Sequence, residues 1–466
     1  MHKPFQFPEL RPHDKGTMNL SGKSLYLPIL ALCACAGLLM AAFIAAGNLS
    51  HDAASGIFAS GILLCIAAAA ICVVLLLPLP FNAEYRAGAC VLLVLALLLR
   101  LSLFDHISPD YVSFLSIWTE TMRGMSVREA LSTPIGDYNM PYLYLILLIS
   151  RLPFYDLYCI KLFSVLFDIA AALAVLMLCA CFTSRPHILL LSLAAALLIP
   201  TTWLNSAYWG QCDSIYAAFA LWGLWLALKD HPVCSLSCFA LSLSFKLQAI
   251  FLLPILAFLL ITDRIRLRHV PVFPAVFLLT MLPAVLGGRS LHDTFSIYFD
   301  QTQSYPYLSL NAPSFWSMIS NQYFEELSPA PVLIALTVTL VVFWLLLRRA
   351  AQLDAQALVL IALLFSLMIP WLLPRMHERY FYLAEILSIV WAASRSRDLP
   401  VALILTGGGF LIYCPYLFGE MPILSNAIVA AVYGLTVVYL FTLCCRRLYG
   451  GAASENTKGG ISNGKS

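Results

Sequence analysis

The segment IFASGILLCIAAAAICVVLLLPL, residues 57–79, decides the fold class of this protein. It contains no charged residue, and as a helix it is long enough to cross the roughly 30 Å hydrocarbon core of a bilayer. Comparable apolar runs recur from Tyr26 to Cys444. Because only helices and closed barrels satisfy their backbone hydrogen bonds in lipid, these runs predict an all-α polytopic membrane protein.

The composition agrees with this prediction. Of 466 residues, 61% are hydrophobic and only 11% are charged, whereas roughly 25% are charged in an ordinary soluble domain. The net charge is +3, and the basic residues form short clusters between apolar runs, so nucleic-acid binding has no support. Most of the 14 cysteines lie inside apolar runs and are predicted to be small buried hydrophobes: Cys33, Cys35, Cys65, Cys72, Cys179 and Cys181 among them.

Apolar runs bounded by Pro, Gly and charged residues predict about 13–14 transmembrane helices in a bundle. They lie near 26–46, 57–79, 87–104, 157–182, 187–205, 213–228, 234–245, 249–262, 269–286, 331–347, 357–373, 380–394, 400–417 and 425–444. With the N-terminus inside, the Lys and Arg clusters fall on the cytoplasmic side. This topology requires residues 142–152 to enter the membrane and return. If they cross instead, the short pair around Lys246 must be counted again.

The expected organisation is a cytoplasmic segment 1–25, a transmembrane domain 26–445 and a disordered cytoplasmic tail 446–466. The first apolar run is expected to be a retained helix and not a cleaved signal. Two long loops, 105–155 and 287–330, are predicted to face outside, and the first bears short surface helices. Three polar clusters join them there: Trp209-Gly-Gln-Cys-Asp213, Phe245-Lys-Leu-Gln248 and Pro374-Arg-Met-His-Glu-Arg-Tyr380.

The first outer loop offers acidic candidates at both ends. Asp110 follows Ser108 and Pro109 just beyond a span and begins an amphipathic segment, where it could be a catalytic carboxylate or only a helix cap. Asp137 and Tyr138 precede the return to the bilayer. They suit a sugar site, but the favoured interpretation of the residues alone is a turn residue and an interfacial anchor.

Polar residues within apolar stretches are further candidates. Trp209 and Gln211 suit sugar faces and hydroxyls, whereas Asp213 also fits a turn between spans. Lys246 and Gln248 interrupt a long apolar stretch, where an unpaired ammonium is costly. Its expected partner is an anion, either a protein carboxylate or, as the favoured interpretation, a lipid phosphate.

Lys161 and Asp168 are also ionisable residues within a span and share one face of the predicted helix. They could serve function. Alternatively, Lys161 reaches the headgroups and Asp168 bonds a neighbouring helix.

The segment Pro374–Tyr380 concentrates ionisable groups at the mouth of a span. Arg375 and Arg379 could hold a phosphate in a bidentate manner, and His377 could donate to a leaving oxygen. The alternative is a solvated loop in which both arginines flank Glu378. The aromatic loop 305–316, with Asn311, could line a carbohydrate cleft or pack on neighbouring loops.

Together these clusters resemble the GT-C superfamily of membrane glycosyltransferases, which use polyprenyl-phosphate-linked sugars. Within it, they look most similar to bacterial proteins related to the second mannosyltransferase of GPI-anchor assembly. The matching motifs are Ser108-Pro-Asp-Tyr with Phe114-Leu and Trp118, Gly136-Asp-Tyr-Asn with Pro141-Tyr-Leu-Tyr, Trp209-Gly-Gln with Asp213-Ser, Ser244-Phe-Lys-Leu-Gln, Leu308-Ser-Leu-Asn-Ala-Pro with Trp316, and Pro374-Arg-Met-His-Glu-Arg-Tyr.

The resemblance implies a GT-C-like bundle in which Asp110 is the general base. Some members of the superfamily use a second acid and a divalent metal. Here the neighbouring acid is Asp105, and no Asp-x-Asp pair exists, so neither a metal nor another cofactor is expected. Where the family often has two prolines, this chain has Met140 and Pro141.

The expected function is inverting transfer of a mannosyl or other hexosyl group from a polyprenyl-phosphate donor to a lipid-linked glycan or other cell-envelope acceptor. The reaction would take place on the non-cytoplasmic face of a bacterial cytoplasmic membrane. The donor phosphate is expected to bind Lys246, Arg375, His377 and Arg379. The expected sugar contacts are Asp137, Tyr138, Trp209, Gln211, Asp213, Gln248, Asn311 and Glu378.

Two rival functions remain open. A lipid or glycan flippase or a secondary transporter would place its site near the midplane and often has duplicated halves. No duplication is evident in the sequence, although Lys161, Asp168 and Lys246 could line a transport path. A polymerase or ligase of surface polysaccharide would share the lipid-phosphate site.

Overall fold

The computed structural model describes residues 32, 36–41, 49, 51–300, 306–350, 353–419 and 421–458. The longer α-helices are Ala53–Leu76, Ala83–Leu101, Met140–Ile149, Asp156–Ala180, Pro186–Leu198, Asp213–Leu228, Pro232–Phe245, Val272–Gly287, Ala330–Leu347, Ala355–Leu372, Tyr382–Ser394, Leu399–Phe418 and Asn426–Lys458. The shorter ones are Ser116–Arg123, Val127–Ser132, Pro200–Trp203, Pro254–Ile261, Leu291–Phe295, Ile297–Asp300 and Phe324–Leu327. The predicted class, an all-α polytopic membrane protein, is confirmed.

The described residues contain fewer full-length spans than the sequence predicts. Seven of their helices are long and apolar enough to cross a membrane, and the pair Pro186–Leu198 and Pro200–Trp209, bent by 41°, could form an eighth. Three predicted spans are shorter apolar helices instead: Asp213–Leu228, Pro232–Phe245 and Leu247–Ile261. The predicted span 26–46 lies largely outside the described residues.

The helix Met140–Ile149 occupies the segment predicted to enter the membrane and return. Its 10 residues extend only about 15 Å at 1.5 Å per residue, which is half of the hydrocarbon thickness. Pro141 stands in its first turn, where the missing backbone N–H leaves no helical hydrogen bond unmade. The helix is therefore too short to cross by itself.

The bundle has an interior and a rim. In the helix Ala355–Leu372, 83% of the residues of the apolar segment are buried inside the protein. In Leu267–Gly287 only 11% are buried. Leucines on the rim face a solvent as apolar as themselves, so their exposure carries no penalty. Cys65 and Cys72 are exposed at this rim, so the prediction that they are buried was wrong; Cys179 is buried. The cysteines of the described residues form no disulfide with one another, and Cys33 and Cys35 lie outside these residues.

The ionisable residues Lys161 and Asp168 hold the bundle together. The Lys161 ammonium donates to the backbone carbonyls of Leu103, Phe104 and His106 at 2.8, 2.9 and 2.7 Å. Asp168 accepts a 2.7 Å hydrogen bond from Arg100 on another helix. Lys161 and Arg100 are fully buried and Asp168 is 3% exposed. The contact of Asp168 matches the structural alternative predicted for it. Lys161 is buried on backbone carbonyls, so the prediction that it reaches the headgroups was wrong.

A small sheet joins the second outer loop to the Pro374–Tyr380 segment. Ser309–Leu310 pairs in parallel with Met376–His377, and Asn311 forms an antiparallel bridge to His377. The sequence pattern did not predict these strands. They matter because they bring Asn311 and the ionisable segment to the same place.

The C-terminal helix departs from the predicted domain plan. It runs Asn426–Lys458 and so continues beyond residue 446, where a disordered tail was expected. The remaining tail, 459–466, and the expected cytoplasmic segment 1–25 lie outside the described residues.

Candidate functional site

A cavity of about 320 Å³ opens where the first outer loop, the second outer loop and the Pro374–Tyr380 segment meet. All the predicted site residues line it except Trp209 and Asp213. Those that do are Asp110, Asp137, Tyr138, Gln211, Lys246, Gln248, Asn311, Arg375, His377, Glu378 and Arg379. Tertiary structure thus gathers residues from five separate stretches of the sequence into one site.

Asp110 presents an oriented carboxylate to this cavity. It stands before the π-helical turn Tyr111–Leu115 and makes no side-chain capping hydrogen bond, so the helix-cap alternative does not describe it. Its Oδ2 accepts a hydrogen bond from the Gln211 amide, and its Oδ1 accepts one from the Tyr416 hydroxyl at 2.5 Å. Tyr138 in turn donates to Gln211 Oε1 at 2.8 Å. These contacts hold the carboxylate in one orientation.

Gly210 separates the roles of the two residues beside it. Its φ of 82° is in the left-handed region, which glycine adopts without strain. The turn directs Gln211 to the cavity, while Trp209 is fully buried against Tyr413 and Tyr416. The prediction that Trp209 stacks on a sugar was therefore wrong. The guanidinium of Arg379 lies instead 5.3 Å from the centre of the Trp209 ring, at a distance suited to a cation–π contact.

Asp213 is also fully buried and does not line the cavity, so it is not the sugar contact that was predicted. Its Oδ1 accepts a 2.6 Å hydrogen bond from Lys246, and its Oδ2 lies 3.7 Å from Nε of Arg379. Asn205 donates to the same carboxylate at 2.8 Å. The favoured phosphate partner of Lys246 is thus corrected to a protein carboxylate, because Asp213 provides the buried anion. Asp213 fixes two cations of the cavity wall in position.

The Arg375–Arg379 stretch is not a solvated loop. Glu378 is 2% exposed, and Arg379 Nη1 donates to its Oε1 at 3.3 Å. Burial raises the pKa of Glu378 to about 7, although Arg379 opposes the change. Burial, with the positive charges of Arg379 and Lys246, lowers the pKa of His377 to about 2. His377 is consequently neutral at physiological pH and can offer one N–H but no positive charge.

Arg375 completes the cationic wall. Its φ of 62° is unusual for a residue with a side chain, and the conformation follows from the turn into strand Met376–His377. The guanidinium lies 5.0 Å from the ring of Phe324 in the second outer loop. This contact places Arg375 on the same wall as Arg379 and Lys246.

Gly136 positions the second acidic residue of the first loop. Its φ is 71°, and a Cβ at this position would meet the Trp118 ring at 2.9 Å. The turn places Asp137 and Tyr138 on the cavity wall. Burial raises the pKa of Asp137, and the nearby charge of Arg379 opposes the change. Asp137 is thus part of the site and not only a turn residue.

Sequence reasoning missed Tyr416, Tyr380 and Asn139, all of which line the cavity. Tyr416 lies in the predicted span 400–417, and its apolar neighbours concealed it. The available signal was Pro415, since a proline within a span marks a place where the helix opens to other partners.

Asp105, the acid nearest in sequence to Asp110, does not line the cavity and accepts a hydrogen bond from Tyr158. Within the part of the chain that the structure describes, no group of three or more His, Cys, Asp or Glu side chains could hold a metal ion.

No protein-family model matches the chain, and no curated protein matches its sequence. The resemblance to the GT-C superfamily therefore rests on the motif residues alone.

The cavity combines two kinds of chemistry. Asp110 can accept a proton from a hydroxyl, and its orientation is fixed before a ligand binds. The guanidinium groups of Arg375 and Arg379 can hold an anion, with Lys246 adding positive charge. A carboxylate and an anion site in one cavity suit transfer of a group from an anionic leaving group to a hydroxyl.

Proposed function

We propose that this protein is a membrane glycosyltransferase that moves a hexosyl group, such as mannosyl, from a polyprenyl-phosphate donor to a hydroxyl of a lipid-linked glycan or other cell-envelope acceptor. The observation that carries the proposal is that Asp110 shares one cavity with Arg375, Arg379 and Lys246. The motifs that contain these residues resemble those of the GT-C superfamily, which also supports the proposal.

In the proposed reaction, the acceptor hydroxyl attacks the anomeric carbon as the bond from that carbon to the phosphate oxygen breaks. Asp110 takes the hydroxyl proton, and the phosphate leaves with the bonding electron pair. The arginines stabilise the charge that develops on the phosphate, since preorganised cations act strongly where water is excluded. Attack opposite the leaving group inverts the anomeric configuration.

The flippase or transporter alternative receives less support. Lys161 and Asp168, which could have lined a transport path, are buried in contacts with neighbouring segments and lie outside the cavity. A polysaccharide polymerase or ligase would use the same carboxylate and cations, and the acceptor distinguishes it from the proposed reaction.

The test is transfer of radiolabelled sugar by the purified protein from a panel of polyprenyl-phosphate hexoses to glycan-lipid acceptors. Asp110→Asn should reduce the transfer rate by roughly 10²- to 10⁴-fold, the usual contribution of a general base. Asp293→Asn, at a half-exposed position of the second outer loop outside the cavity, is the matched control and should retain activity. Equal activity of Asp110→Asn and the wild type would reject Asp110 as the base.

The proposed site faces the non-cytoplasmic side of a bacterial cytoplasmic membrane. Single cysteines introduced at exposed positions beside the cavity, such as Phe114, should react with an impermeant maleimide added from that side of sealed vesicles. The background would lack the native cysteines. Labelling only from the cytoplasmic side would contradict the proposed orientation.

A further inference from the structure

A helix break places a buried hydrogen-bond acceptor on the cavity wall. The helix Pro232–Phe245 ends at Lys246, whose backbone is extended, and the chain continues as the 3-10 turn Leu247–Leu252. Non-helical backbone within a membrane protein is tolerated where it lines a polar cavity. Here the break directs both Lys246 and Gln248 to the cavity.

Gln248 is 8% exposed, and its side chain forms a hydrogen bond with Tyr380. Its carbonyl oxygen Oε1 accepts no hydrogen bond from the residues that the structure describes. A buried acceptor without a donor is unfavourable, and such an atom on a cavity wall is satisfied when a ligand supplies the donor. Gln248 lines the cavity, and its Oε1 is the part of the amide that still needs a donor.

The surroundings of Gln248 favour a neutral donor group. Lys246, two residues before it, is paired with Asp213 at 2.6 Å, and its ammonium does not donate to Oε1 of Gln248. A carbonyl oxygen accepts hydrogen bonds and repels anions, which excludes the phosphate as its direct partner. A hydroxyl fits.

The position of Gln248 also distinguishes the two substrates. Its partner Tyr380 directly follows Arg379, one of the cations proposed to hold the donor phosphate. The donor sugar is bonded to that phosphate, so its hydroxyls lie close to the phosphate site. The acceptor, by contrast, must approach Asp110.

We propose that Oε1 of Gln248 accepts a hydrogen bond from one ring hydroxyl of the donor sugar and thereby selects which hexose is transferred. This inference rests on the proposed glycosyltransferase function and adds a specificity-determining contact to it. A site built to pair a hydroxyl discriminates against the analogue that lacks it, because its own polar atom is then left unpaired.

The experiment uses polyprenyl-phosphate hexoses from which each ring hydroxyl has been removed in turn. For the wild type, one deoxy donor should lose roughly tenfold or more in kcat/KM relative to its parent. In Gln248→Leu, the two donors should differ by only about twofold, because the acceptor is absent. The matched control is Gln322→Leu, an exposed position outside the cavity, which should discriminate like the wild type.

A second variant, Gln248→Glu, keeps an oxygen acceptor and should keep the discrimination even if Gln248→Leu does not fold. The inference is wrong if Gln248→Leu discriminates between the parent and deoxy donors as strongly as Gln322→Leu does. It is also wrong if the wild type disfavours no deoxy donor. In either case the proposed function stands. If the folded wild type transfers no hexose from any donor, the proposed function itself fails.

Discussion

Tyr416 donates a 2.5 Å hydrogen bond to Oδ1 of Asp110, although 306 positions separate the two residues in the chain. Gln211, from a third region, donates to the other carboxylate oxygen. The orientation of Asp110 therefore depends on three segments that meet only in the folded protein. A carboxylate held in this way needs little reorganisation when a substrate hydroxyl arrives.

Tyr416→Phe removes one of these two contacts and leaves the ring in place. We expect the transfer rate to fall by about tenfold, which corresponds to the loss of about 1.4 kcal/mol of transition-state stabilisation. Steady-state kinetics would measure it. The matched control is Tyr439→Phe, which removes a 2.7 Å tyrosine-to-aspartate hydrogen bond at Asp398, outside the cavity. Equal rates in the two variants would show that Tyr416 does not orient the base.

Gly136→Ala should destabilise the protein, because alanine is strained at a φ of 71° and its Cβ would meet the Trp118 ring at 2.9 Å. The strain is on the order of 1–3 kcal/mol. Thermal unfolding in detergent would report it as a lower Tm. Gly61→Ala is the control, since a Cβ at Gly61 meets no atom within 4 Å. A Tm equal to that of this control would contradict the predicted strain.

Asp168→Ala should be strongly destabilising, because it leaves the fully buried guanidinium of Arg100 without its carboxylate. Removing one partner of a buried ion pair typically costs about 3–5 kcal/mol. Glu120→Ala provides the comparison, because its ion pair with Arg123 is exposed and should contribute little. Chemical unfolding would separate the two. If Asp168→Ala folds normally but abolishes movement of a lipid or glycan across the membrane, the result would instead favour the transport alternative.

Glu378 should make stability depend on pH. Its pKa is raised from 4.5 to about 7 by burial. Between these values the folded protein keeps a proton that the unfolded chain has released, so the contribution of Glu378 to the free energy of unfolding falls as pH rises. The effect is absent below the unfolded pKa and complete above the folded one.

The measurement is the Tm of the wild type and of Glu378→Gln across this pH window. Glutamine has no proton to release, so the difference between the two proteins should grow in favour of the variant as pH increases. His377 contributes the opposite slope below its ordinary pKa of 6.5, since its pKa is lowered to about 2, and both proteins share that contribution. A constant difference in Tm across the window would refute the role assigned to Glu378.

Much of the candidate site could be predicted because polar residues stand out in an apolar sequence. Asp110, Gln211, Lys246 and Gln248 were identified in this way, and all four line the cavity. Trp209 and Asp213 were predicted by the same reasoning to contact the sugar, yet both side chains are fully buried and do not line the cavity. Composition marks a polar residue as important, but it does not show which side of a turn its side chain faces.

The helix count had a different source of error. Hydropathy measures how apolar a segment is, and Asp213–Leu228 and Pro232–Phe245 are apolar enough to resemble spans. Their predicted bounds, 213–228 and 234–245, nearly match the observed helices. The error was to count them as crossings, because their 16 and 14 residues are fewer than the roughly 20 that a full crossing needs.

The amino-acid sequence by itself determined that this protein is a helical membrane protein, since the transfer of apolar segments into lipid depends on composition and length alone. It also marked most of the polar residues of the cavity. Only the tertiary structure decided which carboxylate pairs with Lys246, that Tyr416 and Gln211 hold Asp110, and that Lys161 and Asp168 are structural. Hydrogen bonds and ion pairs act over a few ångströms, so their partners are set by how distant segments pack together.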